Sequence, residues 1–105
     1  MDVKVFFGDH TPDSAIKLYH AYINGHALPP FFAFGFHQSK WGYDSSYELK
    51  VVAQKYREYD IPLDVLWSDL DYLLDRIPMA ICPKYRKQEL MEIYRDFQLK
   101  YIPIV

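Results

Sequence analysis

The chain has 105 residues, half of them apolar and 18 % aromatic, with 12 basic against 14 acidic side chains and a net charge of −2. One domain's length with that apolar content excludes a disordered tail, a collagen-like repeat or a coiled coil. A balanced charge argues against a nucleic-acid partner and against a polybasic membrane tether. A single cysteine, Cys82, excludes an internal disulfide framework and a multi-cysteine zinc site.

Asp2–Gly8, with its β-branched and aromatic residues closed by glycine, predicts a short strand. Thr11-Pro12-Asp13 predicts a helix start, with Thr11 as N-cap and Pro12 in the first turn, where its missing N–H costs nothing. The apolar positions Ala15, Ile16, Leu18, Tyr19, Tyr22 and Ile23 continue that helix, and Asn24-Gly25 and Pro29-Pro30 end it. Phe31–Phe36, apolar on both faces, predicts a second strand. A polar and aromatic loop, His37–Asp44, leads to Ser45 and Glu48 at capping-box spacing. The helix that follows carries a stripe of Leu49, Val52, Ala53 and Tyr56. Leu63–Ser68 is the third predicted strand and ends in Asp69-Leu70-Asp71-Tyr72. Residues 75–83 read as irregular. A helix over Tyr85–Leu99, with Leu90, Ile93, Tyr94 and Phe97 on one side, and a strand over Tyr101–Val105 complete the chain.

From Phe31 the order is strand, helix, strand, helix, strand. Crossovers of that length imply parallel strands, and hence an α/β fold: a partial (β/α) barrel or a doubly wound sheet. Either way the functional edge lies at the carboxyl ends of the strands. Three parallel strands leave open edges, so the chain reads as part of a larger domain that is poorly soluble alone. The longest apolar run is strand-sized, too short for a membrane span. Met1-Asp2-Val3-Lys4-Val5 lacks the pattern of a secretory signal. That absence leaves the compartment undetermined.

The candidate chemistry clusters at that carboxyl edge. Asp69 and Asp71 fall on one face if the strand continues. Three readings stand open for the pair: a divalent metal with a sugar nucleotide, as in a metal-dependent glycosyltransferase; direct hydrogen bonds to sugar hydroxyls; or a solvated strand end. Trp41 either offers its flat face to a sugar or covers the core. His37 either positions a neighbour or is simply hydrogen-bonded in place. His10, His20, His26 and His37 show no metal-ligand spacing, and nothing near Cys82 activates it. There is no glycine-rich phosphate loop and no Gly-x-Ser-x-Gly. No cofactor is implied.

Three spaced segments go further: Leu28-Pro29-Pro30-Phe31-Phe32-Ala33-Phe34-Gly35-Phe36-His37-Gln38, Lys40-Trp41-Gly42-Tyr43, and Ile61-Pro62-Leu63-Asp64-Val65-Leu66-Trp67-Ser68-Asp69-Leu70-Asp71-Tyr72. In order and spacing they resemble glycoside hydrolase family 31, the α-glucosidases, with the maltase and acid α-glucosidase branch the nearer. Phe6-Phe7-Gly8-Asp9-His10-Thr11-Pro12 resembles that family's entry into its catalytic barrel. The resemblance implies that residues 1–10 close a preceding β-sandwich domain and residues 11–105 open a (β/α)8 barrel, with its first three strands. It implies an α-glucoside oligosaccharide as substrate and the remainder of the same polypeptide as structural partner. Asp69, Trp41 and Ile104 would line the sugar pocket, with Asp71, Tyr72 and His37 in support. The nucleophile and general acid would lie beyond Val105, leaving this chain without a catalytic residue and inactive alone. Lys40 and Ser39 depart from the family's arginine and cysteine. Leu74–Pro83 lacks the Phe-Thr signature expected after the Asp-Tyr pair. A non-catalytic remnant that binds a sugar or a partner is the remaining alternative.

Overall fold

A computed structural model describes residues 1–105. Its centre is a three-stranded parallel sheet of β1 (His37–Gln38), β2 (Val65–Ser68) and β3 (Lys100–Pro103), in that spatial order. Each crossover carries a helix, α2 (Ser46–Glu58) and α3 (Lys87–Asp96), and α1 (Pro12–Ile23) precedes the sheet. This is the parallel α/β order expected, with shorter strands.

Two expected strands are absent. Residues 2–8 form none, because no other segment of the chain pairs with their backbone. Phe31–Phe34 forms a 3₁₀ turn. Beyond His37 and Gln38, β2 offers that segment no partners, so its donors are satisfied locally: Ala33 N–H by the Pro30 carbonyl at 2.9 Å and Gly35 N–H by that of Phe32 at 3.1 Å. Phe31 is 93 % exposed, where a strand buried on both faces was expected. Asp64 takes over at the turn's end, its Oδ2 accepting from Phe36 N–H at 2.8 Å. Gly35 packs against that carboxylate so closely that an added Cβ would stand 2.4 Å from Asp64 Cγ. Gly35→Ala must therefore push Asp64 off Phe36. We expect a loss of about 0.5–1.5 kcal/mol in urea denaturation, the net worth of a hydrogen bond whose exposed donor water can take over; an unchanged midpoint would contradict it.

The helices start and stop for local reasons. Thr11 occupies the α1 N-cap without a cap bond. Ser14 instead ties the preceding loop to the first turn, donating to the Thr11 carbonyl at 2.7 Å and accepting from Asp9 N–H at 2.6 Å. Asn24 and Gly25, at φ 65° and 88°, terminate the helix through a bond from Gly25 N–H to the His20 carbonyl at 2.7 Å. Ser45 caps α2, accepting from Glu48 N–H at 3.3 Å, while Glu48 reaches back to Asp44 N–H at 2.8 Å. The last helix begins at Lys87 because Tyr85 is held earlier, buried in the core with its hydroxyl on the Tyr43 carbonyl.

That core lies on one face of the sheet. Leu66 from β2, Leu49 and Ala53 from α2 and Ile93 from α3 pack with Tyr43, Tyr85 and Leu99. The opposite face, carrying Val65 and Trp67, has no helix against it. α1 buries no residue and holds the N-terminal segment through the Ser14–Asp9 bond and through Phe6, whose ring meets Tyr19 and Tyr22 at 5.5 Å. No helix is long and apolar enough to cross a membrane.

Candidate functional site

Parallel pairing puts the carboxyl ends of all three strands at one edge, and two side chains tie the loops that leave them. Asp71 Oδ2, after β2, accepts from Gly42 N–H, after β1, at 2.8 Å. Gly42 makes this contact at φ 95°, a conformation that costs glycine little. The Tyr72 hydroxyl donates to the Ile104 carbonyl, after β3, at 2.8 Å. Ile104 N–H in turn bonds the Ser68 carbonyl at 3.0 Å, one step beyond the end of β3. The structure thus brings Trp41, Asp69–Tyr72 and Ile104 to the same edge.

Asp69 is half-buried there. Strand β2 stops at Ser68, and Asp69 starts a 3₁₀ turn over Leu70–Tyr72, with Oδ1 accepting from Leu70 N–H at 2.7 Å. Asp69 and Asp71 are therefore not two same-face residues of a continuing strand. Their carboxylates are fastened to two different backbone N–H groups, one within the turn and one across to the neighbouring loop. The Asp69 backbone is still extended (φ −76°, ψ −170°), so Asp69 leaves the sheet on the Trp67 side, away from the helices. Its Oδ2 makes no hydrogen bond within the chain and is free to accept one.

Trp41 is 61 % exposed, so it covers no core. The Arg76 guanidinium stands 5.5 Å from its ring centroid. Sequence reading passed over Arg76 because it lies in the irregular 75–83 stretch. No periodicity there signals its return to the β1 loop. An isolated bridge, Leu73 to Ile81, folds that stretch back on itself. His37, at the start of β1, bonds Trp67 and the Phe32 carbonyl.

No three His, Cys, Asp or Glu side chains come together anywhere in the chain, so the Asp69 and Asp71 pair has no third protein ligand with which to hold a metal. A groove of about 260 Å³ lies at the other end of the sheet, where Asp60–Leu63 enters β2 and Phe97–Leu99 enters β3. It is remote from the carboxyl edge and shares none of its residues.

The profile of the glycosyl hydrolases family 31 TIM-barrel domain matches residues 26–105. The chain belongs to glycoside hydrolase family 31. Among relatives, this family 31 chain is 40 % identical over 91 residues to the lysosomal acid alpha-glucosidase of Tetrahymena pyriformis, a match covering 86 % of the chain and 10 % of that protein. It is 35 % identical over 106 residues to glucoamylase 1 of Schwanniomyces occidentalis, covering 95 % of the chain and 11 % of the relative. Among solved structures, the ER glucosidase II complex of a catalytic subunit with the binding domain of a regulatory subunit superposes with a TM-score of 0.68. That match has 24 % identity and covers 75 % of this chain and 9 % of the other. The chain spans about a tenth of the length of these relatives. The three parallel strands are thus part of a TIM-barrel fold.

Proposed function

We infer that this chain supplies part of the sugar-binding rim of a retaining, exo-acting α-glucosidase. Residues 11–105 form the first segment of its barrel and residues 1–10 the end of a preceding β-sandwich. The observation that carries the reading is the pair of bonds Gly42–Asp71 and Tyr72–Ile104, which hold Trp41, Asp69 and Ile104 at the carboxyl edge of a family 31 sheet. Asp69 accepts hydroxyl hydrogens of the terminal glucose through Oδ2. Trp41 packs against its C–H face and Ile104 forms an apolar wall. Asp71, Tyr72 and His37 hold these groups without touching the sugar. The names of the relatives, an acid alpha-glucosidase among them, support the reaction class.

A retaining glycosidase needs two carboxyl groups about 5–5.5 Å apart, one attacking the anomeric carbon and one protonating the leaving oxygen. Asp71 is occupied by a backbone N–H and Asp69 is assigned to binding. The catalytic pair must come from another part of the barrel. The surface agrees with an incomplete fold. The chain exposes 8431 Å², where a folded monomer of 12.5 kDa exposes about 6,200 Å². The remainder of the same polypeptide is the partner that would cover the difference.

Two measurements test this. The 105-residue chain is expected to leave a chromogenic α-glucoside intact, and turnover above a boiled control would overturn that. Tryptophan emission titrated with an α-glucoside should saturate in the wild type. Asp69→Ala should weaken the affinity more than about tenfold, the loss of a charge-assisted bond worth about 1.5–3 kcal/mol. Equal affinity in the two proteins would remove Asp69 from the site.

A further inference from the structure

On the face of β2 opposite the helices, Trp67 Nε1 donates to His37 Nδ1 at 3.0 Å, with the two rings 6.0 Å apart. The other imidazole nitrogen, Nε2, lies 3.2 Å from the Phe32 carbonyl oxygen. Proton counting decides the form of the ring. An indole nitrogen only donates and a carbonyl oxygen only accepts. Nδ1 must therefore present its lone pair and Nε2 must carry the hydrogen. The opposite tautomer would set N–H against N–H at Trp67 and a lone pair against the Phe32 oxygen. The imidazolium would keep the Phe32 bond and break the Trp67 one.

One ring thus joins three segments: β1, β2 and the 3₁₀ turn Phe31–Phe34. The charged groups around that junction are Lys100 of β3, whose Nζ stands 5.9 Å from the Phe32 ring, and Asp64, whose carboxylate holds Phe36 N–H. Trp67 precedes Asp69 by two residues, so the indole that His37 grips lies on the side of the sheet from which Asp69 leaves.

We propose that His37 is a positioning residue, locked as the neutral Nε2–H tautomer, which clamps the Trp67 indole between the Phe31–Phe34 turn and the sheet and so fixes the sheet face from which Asp69 leaves. Its functional consequence rests on Asp69 binding sugar. The lock itself does not, and it can be read without any sugar present.

The test is two-bond 1H–15N correlation of the histidine-labelled chain at about pH 8, above the ordinary histidine range. His37 should show an imine-type Nδ1 and a pyrrole-type Nε2. Trp67→Phe removes the donor and should move His37 toward the average of the two tautomers. His37→Asn keeps an acceptor near the Nδ1 position and should hold the Trp67 indole proton at its hydrogen-bonded shift, whereas His37→Leu should release it to the solvent value. A pyrrole-type Nδ1 overturns the proposal, as does a His37 ring that already averages in the wild type or that Trp67→Phe leaves unchanged. A locked ring in a chain that shows no α-glucoside response would refute the sugar site and leave the lock standing.

Discussion

Leu66→Ala is expected to destabilise the chain by about 2–5 kcal/mol, the range for truncating a fully buried leucine. Leu66 has no exposed surface and sits in the central strand, where it faces both helices. Only seven buried residues form this core, so few neighbours can collapse into the hole. Most small domains have about 5–15 kcal/mol of stability in total. One methyl-lined cavity therefore removes a large fraction of what holds α2, α3 and β2 together. Leu66→Met conserves volume and should cost less than about 1.5 kcal/mol. Met91→Ala, at a position 63 % exposed on α3, should leave the urea midpoint where it is. A Leu66→Ala midpoint equal to that of Met91→Ala would mean that the core lies elsewhere.

Raising the pH above about 10 should destabilise the chain, through tyrosines rather than carboxylates. Burial first, then the nearby Asp71, pushes the Tyr85 phenol well above its ordinary value. Burial first, then Tyr101, does the same to Tyr94. Tyr56 and Tyr101 are raised too, both chiefly by burial. Tyr85 donates to the Tyr43 carbonyl and Tyr94 to the Leu66 carbonyl at 3.1 Å, bonds that a phenolate cannot make. In the unfolded chain these phenols lose their protons near pH 10, while in the folded chain they keep them. Above that pH the native state binds more protons, so stability falls as pH rises; below it the contribution is fully present. The slope is at most about 1.4 kcal/mol per pH unit for each tyrosine, or about 2.7 for Tyr85 and Tyr94 together. Urea midpoints at pH 8 and 11 measure it, with phenolate absorbance as a second probe. Tyr85→Phe and Tyr94→Phe should flatten the profile. Equal midpoints at the two pH values would show that neither phenol is held neutral by the fold.

The α2 and α3 stripes were legible because a helix satisfies its own backbone. Leu49, Ala53 and Ile93 fell on the buried face that their spacing implied. Asn24-Gly25 likewise terminated α1 through its own dihedral preference. The Phe31–Phe36 run failed as a strand for the complementary reason. A strand's donors and acceptors belong to its neighbours, and β2 reaches back no further than the Phe36 carbonyl, which accepts from Val65 N–H at 3.1 Å. The same dependence dissolved the strand expected at residues 2–8.

Legible along the chain were the three helices, the C-terminal end of α1, the N-terminal cap of α2, the edge at which polar residues gather and the family motifs that mark it; the strand bounds were not. Each of these follows from spacing and local chemistry within a few residues. Packing of the whole fold was needed for Asp71 to grip Gly42 across 29 positions, for Tyr72 to reach Ile104 across 32, and for His37 to meet Trp67 across 30. Those contacts join separate crossovers, and their partners are chosen by the register of the parallel sheet. No pattern along the chain encodes that register until the helices have packed and set it.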